Sequence, residues 1–166
     1  MNRAEHPARL TSRLLFPLVA ALALLSGCGD RDTELQQTHA YMDSLRLYLG
    51  DLRLMDYDLR QIVEGDTVSA DLIIPVIAET LRPKVENLRR RADGLQPTPQ
   101  VLAAHALLLD YLDVRLQAYD AALQGQAEAR TELFEMFAHK QMEAQDIGND
   151  LEDEAQRLRT QIADYR

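Results

Sequence analysis

The chain reads as an all-α protein, an up-down-up-down four-helix bundle with long first and last helices and a kinked second helix. Three observations predict it. Apolar residues recur at alternating three- and four-residue spacings through most of 33–166, strand-like alternation is scarce, and the stripes are separated by short clusters rich in glycine, proline, serine and threonine. Short connections between amphipathic helices make consecutive helices antiparallel.

The first helix is expected to start at a capping box, Thr33-Glu34-Leu35-Gln36, with Thr33 as cap and Gln36 three residues on. Leu35, Thr38, Met42, Leu45, Leu49, Leu52, Asp56, Leu59 and Val63 follow on one stripe, and Tyr41, Tyr48, Met55 and Ile62 widen it. Gly65 should stop the helix. The second helix should begin near Ser69 or Asp71, with Pro75 in its first turn and Ile74, Ile77, Leu81, Val85 and Leu88 inward. Pro83 removes a mid-helix hydrogen bond and clashes one turn back, which predicts a kink around Glu79 to Pro83. Arg89-Arg90-Arg91 closes the helix, where cations complement its C-terminal dipole.

Gly94 and Gln96-Pro97-Thr98-Pro99 make a turn, with Thr98 as cap and Pro99 at the first helical position. The third seam is Leu102, His105, Leu109, Leu112, Leu116, Tyr119 and Leu123, with Gly125 expected to end the helix. One glycine costs a helix only about 1 kcal/mol, so helices three and four could also merge. The fourth carries Phe134, Phe137, Gln141, Ala144, Gly148, Leu151, Ala155, Leu158, Ile162 and Tyr165, with a break expected at Gly148-Asn149-Asp150. The start of the first helix and the end of the last should project together as an antiparallel pair.

Ahead of this domain, Arg3, Arg9 and Arg13 precede an apolar run from Leu14 to Leu25. A helix of that length spans about 18 Å, short of a hydrocarbon layer of roughly 30 Å, and Pro17 interrupts it, so the run is expected to be a signal-peptide core. It ends in Leu25-Ser26-Gly27-Cys28, which resembles the lipobox of bacterial lipoproteins at all four positions. The resemblance implies a signal peptide over 1–27, lipidation at Cys28 and a lipidated linker over 28–32, leaving a bundle domain over 33–166. Palmitate-type chains on Cys28 would hold the protein to a membrane. Gly29, not aspartate, follows the cysteine, which implies the outer membrane on its periplasmic side, with the inner membrane as the alternative.

Removing 1–27 takes away Arg3, Arg9, Arg13 and Glu5, so the net charge of −9 becomes −11 over 139 residues. Such acidity argues against nucleic acid and suits a basic envelope-protein partner. Cys28 is the only cysteine, so no intrachain disulfide can form.

Bundles often host cofactors, but the residues three before His39, His105 and His139 are Gln36, Leu102 and Met136, which excludes the Glu-x-x-His pairs of di-iron sites. C-x-x-C-H, H-E-x-x-H and G-x-S-x-G are absent too, so no cofactor and no catalytic residue is expected. His39-x-x-Met42 and His139-x-x-Met142 place imidazole and thioether on one face, but their levels differ by about 16 Å of helix rise. His105, on a core-facing seam, is the residue with most chemistry; with Met42 and Gln141 it could line a small polar pocket. Asp146, Asp150, Glu152, Asp153 and Glu154 lack the order of a calcium loop and should solvate a helix face. The chain is thus expected to be a non-catalytic, membrane-anchored scaffold or inhibitor module that binds another protein. The alternative is a small-ligand, metal or haem carrier with its site near His105.

Overall fold

The computed structural model describes residues 15–63 and 70–164. The helices are α1 (Leu15–Val63), α2 (Ala70–Val76), α3 (Arg82–Asp93), α4 (Leu102–Glu128) and α5 (Thr131–Asp164), and no strand occurs among the described residues. A π-helical turn, Ile77–Leu81, joins α2 to α3, and a 3-10 turn, Pro99–Val101, leads into α4. The protein is an all-helical bundle. Its contacts divide it into two units, Met1–Gln36 and Gln37–Arg166.

In the first unit the backbone is helical from Leu15 onward and continues through Cys28 and Thr33. Thr33 is therefore not a helix cap in the full chain, because an apolar helix-forming run precedes it and supplies the intrahelical acceptors a cap would replace. No helix among the described residues is long and apolar enough to cross a membrane. The expected stop at Gly65 and start at Ser69 lie outside the described residues, as does Tyr165.

In the second unit α1 buries Tyr41, Leu45, Tyr48, Leu49, Leu52 and Met55, the stripe expected of it. Leu35 is 38% exposed and lies before this unit. Pro75 stands inside α2, beyond its first turn. At the site of the expected kink the structure has a π turn, which ends at Leu81 directly before α3, and α3 opens with Pro83 in its first turn. Widening the preceding turn keeps the proline ring away from the carbonyl it would otherwise strike. Ile77, Leu81, Val85 and Leu88 are all buried, so the inward face survives the change of helical pitch.

Thr98 stands at the expected N-cap position, with Pro99 at the first helical position, but its side chain does not cap. Its buried hydroxyl instead shares a 2.9 Å hydrogen bond with Thr38 of α1. In the arginine run, Arg89 donates to Asp113 at 2.6 Å and Asp93 at 3.1 Å, and Arg91 lies 5.3 Å over the Tyr48 ring.

The expected seam of α4 needs correction. Leu112 and Tyr119 of that seam are buried and Leu102 is 53% exposed, while Ala104, Leu108, Tyr111, Arg115, Ala118 and Ala122, off the seam, are buried as well. Flanked by α3 and α5 and joined to α1 by side-chain bonds, α4 is buried on several faces, so no single stripe describes it. Gly125 does not end it. The helix continues to Glu128 and reverses at Ala129, whose φ of 51° and ψ of 45° are left-handed. The Ala129 and Arg130 N–H groups both donate to the Gly125 carbonyl, closing the turn. The expected third and fourth helices, α4 and α5, are separate, and α5 passes unbroken through Gly148.

A left-handed alanine costs roughly 1 kcal/mol relative to glycine. Ala129→Gly should therefore stabilise the protein by about 0.5–1 kcal/mol, read as a raised urea midpoint with an unchanged slope.

Candidate functional site

The middle of α4 carries Tyr111, Arg115 and Tyr119 at four-residue spacing, hence on one face. All three are buried, Arg115 to 6% exposure. Such a cation persists in a core only if its donors are used. Its Nε donates to the Tyr111 hydroxyl at 3.0 Å, one terminal nitrogen donates to Gln141 Oε1 of α5, and the other pairs with Asp56 Oδ1 of α1. The Tyr111 hydroxyl in turn donates to Asp56 Oδ2 at 3.4 Å, and the guanidinium stands 5.2 Å from the Tyr111 ring centre. One arginine thus ties three helices together.

Burial disfavours the charge on Arg115, but Tyr111 and Asp56 outweigh it and hold its pKa above the ordinary value. Burial pushes the Tyr111 hydroxyl up to about 12 against the pull of Arg115, and raises Tyr119 as well. Arg115 and both tyrosines therefore stay protonated across physiological pH.

The cluster opens onto a groove of about 830 Å³ between α1 and α5. Leu49, Leu52 and Leu59 supply apolar lining from α1, and Phe137, Met142 and Leu151 from α5. Tyr57 and Met142, also in the lining, are 58% and 61% exposed. Arg115 fixes the orientation of the Gln141 carboxamide, because a flipped amide would point N–H at N–H. That leaves Gln141 Nε2, a buried donor, without a hydrogen-bond partner.

The residues singled out from sequence do not assemble as expected. His105 Nδ1 meets the Tyr41 hydroxyl at 3.2 Å, with the rings edge-on at 5.8 Å. Gln141 belongs to Arg115 instead, and Met42 packs as a half-buried member of the core. Ten residues of helix, or about 15 Å, separate His105 from Arg115 along α4. Met142 and His139 are exposed. Of the acidic cluster, Glu152 pairs with Arg53 and Glu154 with Arg157. No group of three or more His, Cys, Asp or Glu side chains suited to a metal occurs among the described residues.

Burial lowers the His105 pKa below its ordinary 6.5, with Asp93 opposing and Arg89 assisting the shift. The unfolded chain then binds the proton more readily, so stability is full above about pH 6.5 and falls on acidification until the folded histidine also protonates. Melting temperature followed across pH 4.5–7.5, as an experimental range of about three units, should show this slope, and His105→Gln should flatten it.

Sequence reading missed Arg115. The available signals were Asp56, a carboxylate inside an otherwise apolar stripe, and an arginine between two tyrosines one turn away on each side. No protein family, curated protein or solved structure matches the chain, so its functional reading rests on these residues alone.

Proposed function

We propose that the chain is a non-catalytic, lipid-anchored binding module of the bacterial envelope. It is cleaved before Cys28, acylated there and held on the periplasmic side of the outer membrane as an up-down-up-down bundle. Its groove between α1 and α5 receives an apolar-faced segment of another envelope protein. The groove carries this reading: it is open and lined by apolar side chains with an exposed tyrosine and thioether, and its charged lining, Arg53, Arg60 and Arg115 against Asp56 and Glu152, is nearly balanced. Beneath it Arg115, Tyr111 and Asp56 bond to one another across helices, an arrangement suited to holding a shape.

Two measurements test the anchor and the groove separately. Cys28→Ser should abolish palmitate labelling and signal removal; a labelled mutant would overturn the anchor. A photo-crosslinking residue in place of Met142 should capture one stoichiometric envelope protein in intact cells. Absence of any adduct there would sink the groove reading.

A small-ligand carrier is the second reading, favoured by a buried Gln141 N–H without a hydrogen-bond partner in a side chain that lines the groove. It requires a ligand-dependent melting shift that Gln141→Leu removes.

A further inference from the structure

The outer face of α1 carries a second pattern, distinct from the face that builds the core. Leu47, Gly50, Leu54 and Tyr57 are spaced three and four apart, as the a and d positions of two heptads. Leu47, Leu54 and Tyr57 are 67%, 59% and 58% exposed, and Gly50 is exposed with open space where a Cβ would stand. Since α1 buries Leu45, Tyr48, Leu52 and Met55 on its opposite side, this stripe lies outside the core, and only its Tyr57 end borders the groove.

The charges flanking the stripe are ordered. In the same heptad frame the g positions are Arg46, Arg53 and Arg60, and the e positions are Ser44, Asp51 and Asp58. In a parallel, in-register helix pair, each g residue faces the e residue five places on in the other helix. Arg46 would meet Asp51 of the second copy and Arg53 would meet Asp58, each twice by symmetry. In an antiparallel pair g faces g and e faces e, which sets arginine against arginine and aspartate against aspartate. Asp43, one turn before Leu47, would meet its own equivalent, which fixes where the seam begins.

We propose that this face of α1 docks a second copy of the chain, as a parallel two-stranded seam running from Leu47 to Tyr57. Within one chain Arg53 pairs with Glu152 at 2.9 Å, but both side chains are exposed, 67% and 46%, so the partner exchanges at little cost. Two heptads give a weak seam in free solution. Its occupancy rests on the lipid anchor, which confines both copies to one leaflet in the same orientation and raises their effective concentration. The charges set orientation and register more than strength.

The test uses the full chain in membranes of the cells that express it, with palmitate labelling scored separately so that loss of the anchor is distinguishable from loss of the seam. Leu54→Cys should form an oxidative adduct of twice the chain mass, because an a position meets its own equivalent only in a parallel, in-register pair. Leu72→Cys, on α2 and 58% exposed, should form none above background. Adding Arg46→Glu and Arg53→Glu to Leu54→Cys should cut the adduct by on the order of tenfold. Co-expression with a chain carrying Asp51→Lys, Asp58→Lys and Leu54→Cys should restore a mixed adduct. The proposal fails if Leu54→Cys links no better than Leu72→Cys, links to a different protein, or links regardless of the charge changes.

Discussion

Asp56→Ala should destabilise the bundle by about 2–3 kcal/mol, whereas Arg115→Met should cost clearly less. The asymmetry follows from which group is stranded. Arg115 is 8% exposed at its side chain and Asp56 is 34% exposed. Without Asp56 a full positive charge stays in the core with only neutral partners, Tyr111 and Gln141. Without Arg115 the carboxylate can turn to water, and methionine fills much of the space the arginine stem occupied. Tyr111 retains Asp56 as an acceptor, while Gln141 loses its donor. Urea unfolding of the two variants and of the double mutant measures the coupling. Equal losses in both single variants would mean that the pair acts through packing and not through charge.

Gly125→Val should cost about 2–3 kcal/mol, the range for forcing extra methyl groups into a packed contact. A Cβ at this position would lie 3.1 Å from the Leu133 Cβ and 3.2 Å from the Phe134 ring. The Phe134 ring can pivot, but the Leu133 Cβ is fixed to the α5 backbone just past the turn at Ala129. Relief therefore requires α4 and α5 to move apart. Gly50→Ala provides the contrast: nothing lies within 4 Å of its Cβ position, so replacing glycine within α1 should stabilise by about 0.5–1 kcal/mol. Matching effects at the two glycines would show that helix propensity, not contact, sets the cost.

The glycines also show where sequence reading reached its limit. Gly125 and Gly148 read as helix terminators because local conformational freedom is what a sequence makes visible in a glycine. Their role is instead close approach: Gly125 admits Leu133 and Phe134, and Gly148 lies under the Tyr111 ring, where a Cβ would stand 3.1 Å away. That requirement exists only once α4 and α5 are side by side. The chain reversal fell to Ala129, a residue with no turn signature, because the neighbouring helices decide where α4 must end.

The candidate site divides in the same way. Asp56 and Gln141 were visible as polar residues on otherwise apolar stripes, and their inward placement was correct. That they converge on Arg115, while His105 takes Tyr41, depends on the axial offset of α1 and α5 along α4. Periodicity specifies which face a residue occupies and carries no information about level.

The sequence by itself determined the helical class, the inward faces of α1, α3 and α5, and the irregularity before Pro83. These follow from 3.6-residue periodicity and from the geometry of one imide nitrogen, both local properties. Tertiary structure alone decided the burial of α4 on several faces, the tie of three helices through Arg115, and the groove beside it. Each of these arises from which side chains meet across helices, a matter of relative level and separation that no local pattern encodes.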